Sequence, residues 1–306
     1  MYHYVRDPQQ TRFPSLNALH PLDFERQLDW LASSHRVIGY EEFQEGLAGG
    51  ASLDGTALLT FDDGFVDHWQ VSTSLHTRGW TGVFFVAGRA LDTPPRLLNV
   101  HRTHFLMAHL GAAGFVDALR STLTAEAPSA VRALSHRPEV YRYDDQGDLA
   151  AKHLLNYELP FDVADRVLEH LFTMHLGDET AFASALYLSH GHIQEMAAAG
   201  MVFGFHTESH RVLSRLGRDE QQQELAHGVD RIRALTGQTS VPMCYPYGHA
   251  HTYDVHTLDV LASCGYAAAF TARRSRAVPS PDTRFEVPRF DTRDLPPFVE
   301  HVRGRE

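Results

Sequence analysis

Thr60-Phe61-Asp62-Asp63-Gly64 sets two adjacent carboxylates at the end of the apolar run Ala57-Leu58-Leu59. Such a pair at the mouth of a buried strand is costly, because each charge loses water and repels the other. In an extended segment the two side chains leave on opposite faces, so they can hold different tasks. One can ligate a metal ion while the other takes a proton. The plainer alternative is a solvated strand-to-helix turn, with Asp63 capping the helix that follows. A second apolar run, Val202-Phe203-Gly204-Phe205, leads straight into His206-Thr207-Glu208-Ser209-His210. Histidines four apart share one face of a helical turn and can bind one cation. With Asp63, the pair His206 and His210 would make a site of two imidazoles and one carboxylate, leaving positions open for water and substrate.

These motifs, followed by Tyr245-Pro246-Tyr247-Gly248, resemble the first three motifs of the NodB-type polysaccharide deacetylases, carbohydrate esterase family 4. The opening Met1-Tyr2-His3-Tyr4-Val5 also resembles the first strand of many such proteins. The resemblance spans most of the chain except roughly residues 94–180. It implies an α/β fold, a distorted (β/α)7 TIM-like barrel, and a metal-dependent deacetylase. In that picture Asp63, His206 and His210 hold one divalent ion, zinc first, with cobalt, nickel or iron as alternatives. Asp62 serves as general base towards a water whose pKa the ion lowers. The backbone N–H of Tyr247 steadies the oxyanion, and His3, Pro246 and Tyr247 contact substrate.

The chain departs from the family pattern at two points. An arginine that orients the catalytic aspartate usually opens the third motif, where Cys244 stands here. Arg289, in Val287-Pro288-Arg289-Phe290-Asp291, can supply that guanidinium, or can form a surface ion pair with Asp291 or Glu286. The usual late Leu-x-His is absent, and His301 is the only late histidine. His3, His249 and His251 are candidates for the general acid, which stays unassigned.

The elements that must position these residues follow from periodicity. Strands are predicted over 2–5, 37–38, 56–61, 82–86, 202–205, 241–245, 267–271 and 285–289. Helices are predicted over 22–33, 40–47, 66–78, 219–236 and 254–264. Strands alternating with helices mean a parallel sheet, and the chemical residues fall just after strands, the catalytic face of α/β barrels. Residues 97–110, 116–123 and 163–176 show helical periodicity without clear strands between them. A single domain over 1–306 is therefore expected, with a helical insertion at about 94–185 overhanging the barrel mouth. Within it, His101 and His104 share one helix face and offer either a second metal site or, the favoured reading, a solvated or lid-facing surface. Tyr141-Arg142-Tyr143-Asp144-Asp145 is a candidate sugar contact or a plain exposed loop.

The chain has 306 residues, 43% of them apolar, and a formal net charge of −11. With no Lys/Arg run, a nucleic-acid or anionic-membrane partner is not expected. The two cysteines, Cys244 and Cys264, make no disulfide framework. No apolar run reaches the length of a membrane span. If Met1 is the native start, no signal peptide precedes the barrel and a cytoplasmic location is expected. The expected substrate is a small molecule or oligosaccharide bearing an N-acetyl group, such as a sugar nucleotide, glycan precursor or aminosugar intermediate. Two alternatives stay open: a related hydrolase of cyclic imides or ureides, and an inactive carbohydrate-binding barrel.

Overall fold

The computed structural model describes residues 1–50, 52–126, 128, 146–278 and 280–298. The chain opens with α1 (Pro21–Ser34), β1 (Arg36–Ile38), α2 (Tyr40–Leu47), β2 (Thr56–Leu58), β3 (Thr60–Phe61), α3 (Asp67–Thr77) and β4 (Val83–Val86). A helical stretch follows: α4 (Asn99–Glu126, kinked at Gly111), α5 (Gln146–His153), a π-turn (Leu154–Glu158), α6 (Phe161–Leu176), α7 (Glu179–Leu186) and α8 (His190–Ala198). The strand pattern then resumes with β5 (Val202–Phe205), α9 (Arg218–Leu225), α10 (Gly228–Thr236), β6 (Met243–Cys244), α11 (Val255–Cys264) and β7 (Ala269–Phe270). The candidate sugar-contact run 141–145 and His301 lie outside the described residues.

Strands β3 to β7 form one parallel sheet in sequential order, as a singly wound barrel requires. Single parallel bridges extend it at both edges, Tyr2 to Phe61 and Phe270 to Val287. Counting these two, the sheet has seven staves, which is the (β/α)7 arrangement. The outer staves meet, since Thr292 N–H donates to Met1 O at 3.1 Å. The predicted strands over 2–5 and 285–289 thus shrink to isolated bridges, and that over 241–245 to two residues. Strong barrel curvature lets neighbouring strands pair over only one or two residues before they diverge.

Alternation across the sheet separates two apolar clusters. Tyr2, Phe61, Phe84 and Phe203 face the helices and meet in sequence, with centroids 5.1, 4.7 and 5.8 Å apart, the first two pairs stacked and the last tilted. Val83, Phe85, Cys244, Phe270 and Val287 face the interior, which α2 closes with Tyr40 and Phe43. All four residues of β4 are fully buried, as expected of a strand covered on both faces.

The single helix predicted over 219–236 is two. Glu208 N–H takes the Glu224 carbonyl at 2.9 Å, and the Tyr266 hydroxyl takes that of Leu225 at 2.7 Å. Those carbonyls are diverted from the helix ladder, so α9 stops at Leu225. Gly228 opens α10 because a Cβ there would stand 2.2 Å from the Phe205 ring. Among the described residues no helix is long and apolar enough to cross a membrane.

Candidate metal centre and catalytic cleft

The ends of β3, β5, β6 and β7 open into a cleft of about 670 Å³ whose floor includes Asp62, Asp63, His206, His210 and Arg289. Local geometry there is strained. The non-glycine residues with positive φ among the described residues are Asp63 (78°), Thr207 (59°), His210 (59°) and Tyr247 (63°). All four sit in the loops that carry the three motifs, where surrounding contacts hold a backbone that bulky residues rarely adopt. Gly64 continues the first turn at φ 67°, and a Cβ there would stand 2.7 Å from Val86 Cγ1. The pair His206 and His210 is therefore not on a helical turn. It lies in a looped segment after β5, with His210 N–H bonded to Thr207 Oγ1 at 3.0 Å.

The two aspartates point to different partners. Asp62 receives both Nη atoms of Arg289, each at 2.8 Å. The remaining guanidinium donors go to Thr271 O (2.9 Å), Thr60 Oγ1 (3.1 Å) and Cys244 Sγ (2.8 Å). All five N–H bonds of Arg289 are thereby used inside a buried pocket. Burial alone would raise the Asp62 carboxyl, but the guanidinium overrides it and holds the group ionised, well below the usual carboxylate range. Cys244 adds a thiol 3.5 Å from Asp62 Oδ2. His3 Nε2 stands 3.8 Å from that same oxygen, with the ring 41% exposed at the cleft.

Asp63 turns to the histidines. Its Oδ1 lies 3.4 Å from His206 Nε2 and 3.5 Å from His210 Nε2. The three residues each offer a ligand atom within 4.8 Å of the others, and all are buried. His206 Nδ1 lies 2.7 Å from the Cys244 carbonyl; donation to that oxygen leaves Nε2 to face the site. Asp63 Oδ1 is buried without a hydrogen-bond partner. A carboxylate oxygen left so is expensive unless a cation completes it, and the donor set suits zinc and its neighbours. Burial, with His206 alongside, lowers His210 to about 3, which keeps it neutral as a ligand must be. Burial would lower His206 as well, but Cys244 and Asp63 beside it raise it well above its ordinary value.

Tyr247 lines the cleft, its ring 5.1 Å from His210 and its hydroxyl donating to Asn156 Oδ1 at 2.9 Å. Tyr245 and His249 also line it, whereas Pro246 is buried and does not. His251 stands 3.2 Å from the Tyr157 hydroxyl.

His101 differs from its expected place. It is fully buried, with Nε2 3.3 Å from Asp63 Oδ2 and Nδ1 2.6 Å from the Tyr187 hydroxyl. The expectation of a solvated ring fails because His101 lies four residues before Phe105, on the stripe of α4 that faces the core. That spacing was the available signal. Nothing in the sequence marked Tyr187 or Asn156.

Residues 167–269 match the sequence profile of a family described as polysaccharide deacetylase, about a third of the chain. Over that segment the chain is similar to the family. The matched segment carries His206, His210 and Tyr247, while Asp62, Asp63 and Arg289 lie outside it and are brought to it by the fold. No curated protein matches. Among solved structures, the chain is similar to the Streptococcus pyogenes deacetylase PplD in complex with acetate, at 17% identity and TM-score 0.56, covering 94% of this chain and 88% of that one. IcaB from Ammonifex degensii is similar at 19% identity and TM-score 0.55, with 94% and 88% covered. The de-N-acetylase from Aggregatibacter actinomycetemcomitans gives 13% identity and TM-score 0.55, with 95% and 93% covered. At such identities these likenesses show the fold alone.

Proposed function

We propose that the chain is a deacetylase that depends on one divalent metal ion and hydrolyses the N-acetyl amide of an N-acetylated sugar, releasing acetate and an amine. The observation that carries this is the division between the adjacent aspartates: Asp62 is clamped by Arg289, while Asp63 meets His206 and His210. One cleft thus sets an ionised carboxylate beside a buried carboxylate oxygen that has no hydrogen-bond partner.

Asp63, His206 and His210 would hold the ion, zinc first and cobalt, nickel or iron as alternatives. When bound it supplies Lewis acidity and an acidified water. Asp62 accepts the proton of the water whose oxygen adds to the acetamide carbon. Arg289 keeps Asp62 ionised and aimed. Tyr247, at the turn after β6, presents its backbone N–H to the oxygen that gains charge. The carbon–nitrogen bond then breaks, and the proton taken up by Asp62 balances the one that the departing nitrogen gains, so that acetate and the amine are released. His3 contacts the substrate at the rim.

Thr103, His104 and Met107 of α4, with Lys152 and Asn156, wall one side of the cleft. Such a wall favours a compact ligand over a long polymer, so a sugar nucleotide, glycan precursor or aminosugar intermediate fits best. Acetate, found with the Streptococcus pyogenes deacetylase, is the acid this reaction would release.

The test is acetate release from N-acetylhexosamine conjugates, with and without a chelator. Chelator-sensitive release supports the reading. Ring opening of a cyclic imide without acetate release would move the enzyme to the related hydrolases. Binding of the sugars with no turnover in metal-loaded protein would make it a carbohydrate-binding barrel.

A further inference from the structure

His101 and Tyr187 come from the helical stretch between β4 and β5, outside the three motifs, yet His101 reaches Asp63 and Tyr187 reaches His101. Leu98 N–H donates to the Tyr187 hydroxyl at 3.1 Å, and that hydroxyl stands 2.6 Å from His101 Nδ1. His101 Nε2 is buried without a hydrogen-bond partner and faces Asp63 Oδ2 at 3.3 Å as an ion-pair contact. The ring is held from the side by Phe65, at 4.8 Å between centroids.

The tautomer follows from these partners. A lone pair on Nε2 aimed at a carboxylate oxygen would be repulsive in a buried site, so Nε2 carries the proton. Nδ1 is then the acceptor, and the Tyr187 hydroxyl donates to it while accepting from Leu98. The chain of groups Leu98, Tyr187, His101, Asp63 is consistent in one direction only. His101 is also outside the tight ligand set, which comprises Asp63, His206 and His210.

We propose that His101 is a positioning residue for Asp63, holding Oδ2 so that Oδ1 alone is offered to the ion between His206 and His210, with Tyr187 fixing the tautomer. This rests on the metal-site reading above. Without the Nε2 proton, Oδ2 would be a buried oxygen with no donor, and the carboxylate could rotate away from the histidines. Partners that orient a ligand in this way typically contribute about 10- to 100-fold in metal affinity.

The experiment measures zinc affinity by chelator competition, and the absorption spectrum of the cobalt-loaded protein, for wild type, His101→Ala, His101→Gln and Tyr187→Phe. His101→Ala should weaken zinc by roughly 10- to 100-fold while its saturated cobalt spectrum keeps the wild-type form. Tyr187→Phe should move affinity the same way by less, and His101→Gln, which retains a donor, should recover most of the loss. Wild-type affinity in folded His101→Ala would overturn the proposal, as would a cobalt spectrum showing a lost ligand, which would make His101 a ligand itself. Should His101→Ala not fold, unchanged affinity in Tyr187→Phe overturns it instead. Zinc failing to bind the wild type would sink the site reading too, whereas normal wild-type binding with an indifferent His101→Ala sinks only this role.

Discussion

Arg289 grips Asp62 through both Nη atoms at 2.8 Å across 227 residues of sequence, at the seam where the last stave of the barrel returns to the first. The guanidinium has no donor left over, so neither its position nor that of the carboxylate can drift independently.

Arg289→Lys keeps the charge but cannot reproduce five donors in a fixed fork. Turnover should fall by about 100-fold or more, on the scale of a misplaced general base, with zinc content unchanged. Arg289→Ala should also cost about 3–5 kcal/mol, because Asp62 is left charged and buried. Steady-state kinetics, metal analysis and urea unfolding check this; wild-type turnover in the lysine variant would refute it.

Asp62→Asn removes the proton acceptor and preserves the shape. Metal should stay bound while acetate release drops about 10²- to 10⁴-fold. Loss of the metal instead would mean that the roles of Asp62 and Asp63 are interchanged.

Cys244 accepts the last Arg289 donor at 2.8 Å within a fully buried pocket. Cys244→Ser retains an acceptor and should change stability little. Cys244→Val leaves that donor unpaired and should cost about 1–3 kcal/mol. Equal unfolding midpoints for the two variants would show that the thiol contact carries no weight.

His68 is buried beneath the site and its Nε2 meets the His3 carbonyl at 2.9 Å. Burial lowers it from its ordinary value of 6.5, so the folded chain keeps it neutral where the unfolded chain takes up a proton. The unfolded state therefore binds more protons below that value, and stability falls as pH drops through it, by about 1.4 kcal/mol per unit until the folded group titrates. His104, also lowered by burial, acts in the same direction. His68→Gln keeps a donor and should flatten the decline measured by urea unfolding on the acid side. An unchanged slope would exclude His68 as its source.

The motif residues were legible because short apolar runs end in them, which fixes Asp62, Asp63, His206 and His210 at one face of a parallel barrel. Strand lengths were not, since alternation in sequence does not report how soon curved neighbours part, as at Tyr2 and Val287. The histidine pair reads as helical by spacing, yet positive φ at Thr207 and His210 places it in a loop. Such strain is held by tertiary contacts that no local pattern records. His101 was misplaced because its spacing from His104 outweighed its spacing from Phe105, and the partners that make its burial favourable, Asp63 and Tyr187, lie far off in sequence. The break between α9 and α10 depends on Tyr266 and Glu208, donors distant in sequence from the carbonyls they capture.

Everything in the functional account rests on one cation shared by Asp63, His206 and His210. Zinc content measured by atomic absorption after equilibration and gel filtration tests it directly, on wild type and on folded Asp63→Ala and His206→Ala. One ion per chain in wild type and essentially none in the two variants is the predicted result. An ion-free wild type, or full occupancy in Asp63→Ala, would contradict it.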